Sequence, residues 1–222
     1  MGFNFKDLRW HKVFGNTIRL LLVGAIIGNI FSQNWFNLFT SSLALFATYF
    51  PFILAEKNHL QIPPGFQIVI LFFVFASMYL GELKEYYFKF WWWDMMLHAL
   101  SGIILGIIGF ILVYLLNQEE EIDVVLSPIF VAIFSFAFSV SIGALWEIFE
   151  FSMDSMFGLN MQKPMGGLFF KTNQSALIDT MWDLIVDSLG ALAASIVGYI
   201  YMKKDISYFK EIAHYILKEN SD

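Results

Sequence analysis

The chain has 222 residues, of which 58% are hydrophobic and only 14% charged, with a net charge of −6 and no cysteine. Soluble domains carry roughly 25% charged residues, so this composition excludes an ordinary water-soluble globule and indicates an all-α, polytopic membrane protein. It also excludes disulfides and thiolate metal sites, and no basic patch suggests nucleic acid.

The N-terminal stretch "MGFNFKDLRWHKVFGN" mixes aromatic and basic residues and reads as an interfacial lead-in, with no cleavable signal peptide expected. Six apolar runs of membrane-spanning length follow: Thr17–Ser32, Phe36–Ala55, Gly65–Gly81 after Pro63-Pro64, Trp91–Leu116, Val125–Met153 and Thr180–Met202. The tail "SYFKEIAHYILKEN" spaces Phe209, Ile212, Ile216 and Leu217 like a surface amphipathic helix. No internal repeat or low-complexity linker divides the chain, so residues 1–222 read as one integral membrane domain.

With six spans both termini share a side, and that side collects nine of the Lys and Arg residues: Lys6, Arg9, Lys12, Arg19, Lys57, Lys203, Lys204, Lys210 and Lys218. The other side holds Lys84, Lys89, Lys163 and Lys171, so both termini are expected in the cytoplasm. The acidic loop "NQEEEID" then reads as a solvated cytoplasmic turn, and His11, His59 and His214 as surface residues on the same side.

On that map the other membrane-region acids gather at the outward ends of the spans. Glu82 closes the third, and Asp94 with His98 opens the fourth in "WWWDMMLHALSG". Glu147, Glu150 and Asp154 close the fifth in "GALWEIFEFSMD", and Asp179, Asp183 and Asp187 open the sixth in "DTMWDLIVDSLGA". Residues three, four and seven apart share a helix face, so each group forms one stripe. At about 1.5 Å per residue Asp187 lies about 12 Å deeper than Asp179, which suggests an inner layer of His98, Glu147, Asp183 and Asp187 below a rim of Asp94, Glu150, Asp154 and Asp179. The stripes continue into Gly102, Gly106 and Gly109, into Gly143, Ser139 and Ser135, and into Ala191, Ala194 and Gly198. Small residues let membrane helices approach closely, so spans four to six are expected to pack along the faces that carry the polar groups.

Charges at mid-bilayer cost at least about 2.5–3.5 kcal/mol each on insertion scales, and no Arg or Lys in these segments neutralises the acids. A divalent cation among Asp94, His98, Glu147, Glu150, Asp183 and Asp187 resolves the difficulty most economically, with Mn²⁺, Mg²⁺, Ca²⁺, Fe²⁺ and Zn²⁺ all compatible and a second metal conceivable. A polar structural core and a set of protonated carboxylates in a proton-coupled transporter are the competing readings. Trp91, Trp92 and Trp93, with Tyr86 and Tyr87, read as an interfacial aromatic belt or as a lid over a lipid or sugar headgroup.

The three motifs "WWWDMMLHALSGIILGIIGF", "GALWEIFEFSMDSMFGLNMQ" and "DTMWDLIVDSLGA" resemble the YjdF-like family of bacterial inner-membrane proteins over roughly residues 65–205. A looser likeness joins His98, Glu147 and Asp183 to VanZ-like proteins, which are associated with glycopeptide resistance. Asp187 stands where those proteins tend to have Asn, and their arginine before the last helix has no counterpart. The resemblance implies a multi-pass protein of the bacterial inner membrane and the position of a site. For its chemistry three expectations follow. The first is a metal-dependent enzyme on a lipid or lipid-linked headgroup, with Glu150 or Asp179 as general base and the loop "FGLNMQKPMGGLFFKTNQSAL" placing Asn160, Gln162 and Lys163 near the headgroup. The second is a cation- or proton-coupled transporter, and the third a scaffold in which replacing the acids matters little.

Overall fold

A computed structural model describes residues 10–57, 60–116, 126–158, 160–163, 175–204 and 215–216. The lead-in 1–9, the acidic loop 117–123, His59, His214, most of the tail and residues 164–174 of the long loop lie outside the described residues. Among the described residues six helical stretches are long and apolar enough to cross a membrane, and the protein is an all-α, multi-pass membrane protein. They are α1 (Trp10–Phe31), α2 with α3 (Trp35–Ala47 and Phe50–Lys57), α4 (Pro64–Val74) continued by a π-helical segment (Phe75–Leu83), α6 (Trp93–Leu116), α7 (Pro128–Phe157) and α8 (Ser175–Lys204). A single turn, α5 (Tyr86–Lys89), precedes α6.

Local chemistry sets these limits. Asn34 caps α2 by accepting the amide of Asn37, and Ser127 caps α7 by accepting that of Phe130 with Pro128 in the first turn. The left-handed Gly158 (φ 62°) ends α7. Helix α1 starts at Trp10, well before the expected Thr17, and α8 at Ser175, so Asp179 is already inside a helix.

The chain separates into two compact units, Met1–Tyr86 with His214–Asp222, and Tyr87–Ala213. In the first, Ile18, Leu22, Ala44 and Leu71 form the buried core. Its second span breaks between α2 and α3 because Pro51 has no amide for the carbonyl of Ala47. Phe52 bonds instead to the Tyr49 carbonyl, and the carbonyl of Thr48 accepts from Arg19 Nη2 at 2.9 Å. The same guanidinium lies 4.0 Å from the Tyr49 ring centre. Arg19 therefore sits within α1 and caps the break.

The second unit consists of α5's last residues and α6, α7 and α8, packed pairwise, with α6 and α8 parallel and α7 antiparallel to both. It is inside out relative to a soluble bundle. Facing inward on α7 are Ser135, Ser139, Gly143, Glu147 and Glu150, and on α8 Asp179, Asp183, Asp187, Ala191, Ser195 and Gly198. Outward stand Ile133, Leu145, Ile148, Leu189, Leu192 and Ile196. Apolar side chains gain nothing by leaving lipid for a protein core, so close contact and hydrogen bonds hold such a bundle together. A Cβ at Gly102 would collide with the Asp187 carbonyl, one at Gly190 with the Ala99 carbonyl, and one at Gly198 with the Phe110 ring. Ser139 donates to the Gly102 carbonyl at 2.9 Å and Ser135 to that of Gly106, pinning α7 to α6.

Candidate metal centre

Helix α6 delivers Asp94 and His98, one turn apart, and Asp94 sits in the first turn, where the helix dipole favours an acid. Glu147 arrives from late in α7, and Asp183 and Asp187 from early in α8. Around the imidazole, Nε2 lies 3.7 Å from Asp94 Oδ1, 3.8 Å from Glu147 Oε1 and 4.0 Å from Asp183 Oδ2. Nδ1 lies 3.5 Å from Asp187 Oδ2. The side chains of His98, Glu147, Asp183 and Asp187 are buried, and that of Asp94 is 22% exposed.

Two observations set this cluster apart from a satisfied polar core. Oδ2 of Asp183 and both oxygens of Glu147 are buried and make no hydrogen bond of normal geometry among the described residues, Thr180 being the donor nearest to Glu147, although buried polar atoms nearly always find partners. Donor atoms of Asp94, His98 and Asp183 also lie within 4.8 Å of one another. Two unit negative charges at that separation repel by about 3.5 kcal/mol at an effective dielectric of about 20, and a single imidazole cannot offset four carboxylates. Three donors no farther apart than 4.8 Å all fall within about 2.8 Å of a common point. That is close to the distances of about 2.3–2.6 Å typical of Ca²⁺–oxygen bonds and needs a contraction of about 0.7 Å for the bonds of about 2.1 Å around Mg²⁺.

The flanking acids divide by partner. Glu150 is buried, accepts the indole N–H of Trp146 at 3.0 Å, and stands within electrostatic reach of Glu147, Asp94 and Lys163. Asp179 is buried within reach of Asp183, Asp94 and Glu150. Asp154, expected in the rim, is taken up by the loop: its carboxylate accepts the amides of Met161 at 2.7 Å and Gln162 at 3.0 Å. Glu82 belongs to the other compact unit.

Of the loop residues, Gln162 donates to Thr180 Oγ1 at 2.9 Å and so fastens the loop to α8. Lys163 Nζ stands 3.9 Å from the Tyr87 ring centre, and Asn160 is exposed. Trp91 and Trp92 are exposed while Trp93 turns inward. Ser101 was not anticipated from the sequence. Its hydroxyl lies 2.6 Å from Asp187 Oδ1 and 2.7 Å from the His98 carbonyl. Its spacing of three from His98, on the same face of α6, was the available signal.

A protein of Thermotoga maritima described as uncharacterized is 28% identical over 159 residues, covering 72% of this chain and 73% of its own. No solved structure matches. Residues 14–204, which include all six spans but the first turn of α1 and every member of the cluster, match the family described as predicted membrane protein (DUF2238), and the chain belongs to that family.

Proposed function

We propose that this protein is a metal-dependent enzyme of the bacterial inner membrane that acts on the polar headgroup of a lipid or lipid-linked substrate. The cation is held by Asp94, His98, Glu147 and Asp183. The observation that carries this reading is the meeting of three helices at buried carboxylate oxygens that make no hydrogen bond of normal geometry. A dication satisfies those oxygens and cancels their repulsion at once. Bound there, it would polarise a phosphoryl or acyl oxygen or activate water. Glu150 and Asp179, buried beside the cluster, are the spare carboxylates from which a general base is drawn.

Packing below the cluster argues against the transporter. The hydroxyls of Ser135 and Ser139 are committed to α6 carbonyls, and Gly106, Gly109 and Gly198 leave no room for a methyl group against Ala194, Ser135 and Phe110. A cation path toward the other membrane face would have to part these contacts. The YjdF-like and VanZ-like resemblances draw on the same three helices, and the distribution of Lys and Arg favours cytoplasmic termini with the site facing outward.

Metal content measured by mass spectrometry on the purified protein, alongside the pair Glu147→Gln and Asp183→Asn, tests the reading. Wild-type protein is expected to carry a stoichiometric divalent metal that the double variant lacks. Metal retained by the double variant at wild-type stoichiometry removes these residues from coordination. For the reaction, metal-loaded protein is incubated with a membrane lipid extract, and a headgroup product that disappears with chelator is expected. Metal-coupled flux into liposomes without any such product would favour transport instead.

A further inference from the structure

His98 presents its two nitrogens to different surroundings. Nε2 looks toward three carboxylates, one from each helix, at 3.7, 3.8 and 4.0 Å. Nδ1 looks toward Asp187, at 3.5 Å. An imidazole that binds a metal through one nitrogen carries its proton on the other, and the partner of that N–H fixes ring orientation and tautomer. Asp187 has the setting of such a partner. Its Oδ1 is already engaged by the Ser101 hydroxyl at 2.6 Å, and Ser101 is tied in turn to the His98 carbonyl at 2.7 Å. Its Oδ2 lies against Gly143, where any Cβ would occupy the same space. The carboxylate is thus confined by α6 on one side and α7 on the other in the orientation that aims Oδ2 at Nδ1. Glu147 offers the opposite pattern, with 4% exposure and no hydrogen bond of normal geometry at either oxygen, and Asp183 Oδ2 likewise makes none.

We infer that Asp187 is a positioning residue: held by Ser101 and the gap at Gly143, it accepts the Nδ1–H of His98 and commits Nε2 to a cation shared with Asp94, Glu147 and Asp183. This rests on the metal reading above. It separates Asp187 from Asp183, although the two lie one helical turn apart on the same stripe.

The test uses the full-length protein in detergent, stripped by chelator and titrated with Mn²⁺. Four variants are compared with wild type: Asp187→Ala, Asp187→Asn, Ser101→Ala and Asp183→Asn. Removing a partner of this kind weakens metal affinity about 10–100-fold. Asp187→Ala is therefore expected to lose affinity in that range yet reach wild-type stoichiometry at saturation. Asp187→Asn keeps an acceptor oxygen and recovers most of the loss, and Ser101→Ala falls between wild type and Asp187→Ala. Asp183→Asn lowers affinity further than any of them. Pulsed electron paramagnetic resonance of the Mn²⁺-loaded proteins supplies a readout that a merely structural role would not move. Coupling to a histidine nitrogen should persist in Asp187→Ala with an altered signature for the remote nitrogen. Loss of histidine coupling in that variant, or failure of Asp187→Asn to recover affinity while matching Asp183→Asn, would make Asp187 a ligand and overturn the inference with the metal reading intact. Wild-type protein that binds no Mn²⁺, Ca²⁺ or Zn²⁺ would overturn both.

Discussion

Replacing Asp183 by asparagine is expected to shift the stability of metal-free and metal-loaded protein in opposite directions. Asp183 faces Asp94, Glu147 and Asp187 as like charges and His98 as an opposite one. The like pair with Asp94, within 4.8 Å, is worth at least about 3.5 kcal/mol at an effective dielectric of about 20, attraction to a protonated His98 at 4.0 Å about 4 kcal/mol, and Glu147 and Asp187 add further repulsion. The ionised cluster thus carries a net repulsion of several kcal/mol on this residue. Proton uptake shared among coupled groups reduces it, leaving a gain of about 1–3 kcal/mol when the charge is removed. For a chain of this length that raises the unfolding midpoint by about 2–12 °C. Metal reverses the order: at a concentration of 100 times Kd it stabilises wild type by about 2.7 kcal/mol, and the variant forgoes this. Thermal unfolding in detergent, followed by tryptophan fluorescence with chelator and again with Mn²⁺, reads both effects. A variant less stable than wild type in chelator, with an undiminished response to Mn²⁺, would show that Asp183 is a structural hydrogen-bonding group and refute the electrostatic reasoning.

Ser139→Ala removes one interhelical hydrogen bond to the Gly102 carbonyl. It is expected to cost about 0.6 kcal/mol, and at most about 1.7, in the same unfolding assay with metal stoichiometry unchanged. Gly102→Val drives a side chain into the Asp187 backbone and should abolish the monodisperse peak in size-exclusion chromatography. Gly28→Ala, with open space around it, should be neutral or stabilising by up to about 1 kcal/mol through helix propensity. Arg19→Leu strips the Thr48 carbonyl of its charged donor and should cost about 1.5–3 kcal/mol. Arg19→Lys, lacking the planar fork, should restore only part of that loss, again by thermal unfolding.

Periodicity made much of the second unit legible from sequence. An acid or histidine followed at intervals of three or four by Gly, Ala or Ser leaves one buried face per helix, and Gly102, Gly106, Gly143 and Ser135 indeed lie at the contacts. What periodicity could not supply is direction within a face. Asp183 and Asp187 are equivalent by spacing, yet they address different nitrogens of one ring. Asp154 fits the α7 stripe equally well, but its oxygens are used by loop amides whose path depends on residues seven and eight positions later. Arg19 counts as a flanking charge in sequence because orientation rules weigh positive residues by nearness to a span's end. Its actual role depends on the break at Pro51, about thirty residues away in sequence.

The glycines and the acids of the second unit form one device. Side chains on α8 reach His98 because α6 and α8 approach so closely that neither Gly102 nor Gly190 could carry a Cβ. Asp94 shares a helix with His98, so its 3.7 Å separation from Nε2 is set by local geometry. The 4.0 Å reach of Asp183 is set by the distance between helices. A methyl group inserted at Gly190 would therefore carry Asp183 and Asp187 away from the imidazole while leaving Asp94 in place. Gly190→Ala should accordingly lower Mn²⁺ affinity although it touches no charged group. An affinity equal to wild type in a folded Gly190→Ala protein would mean that backbone contact between α6 and α8 does not govern the spacing of the cluster.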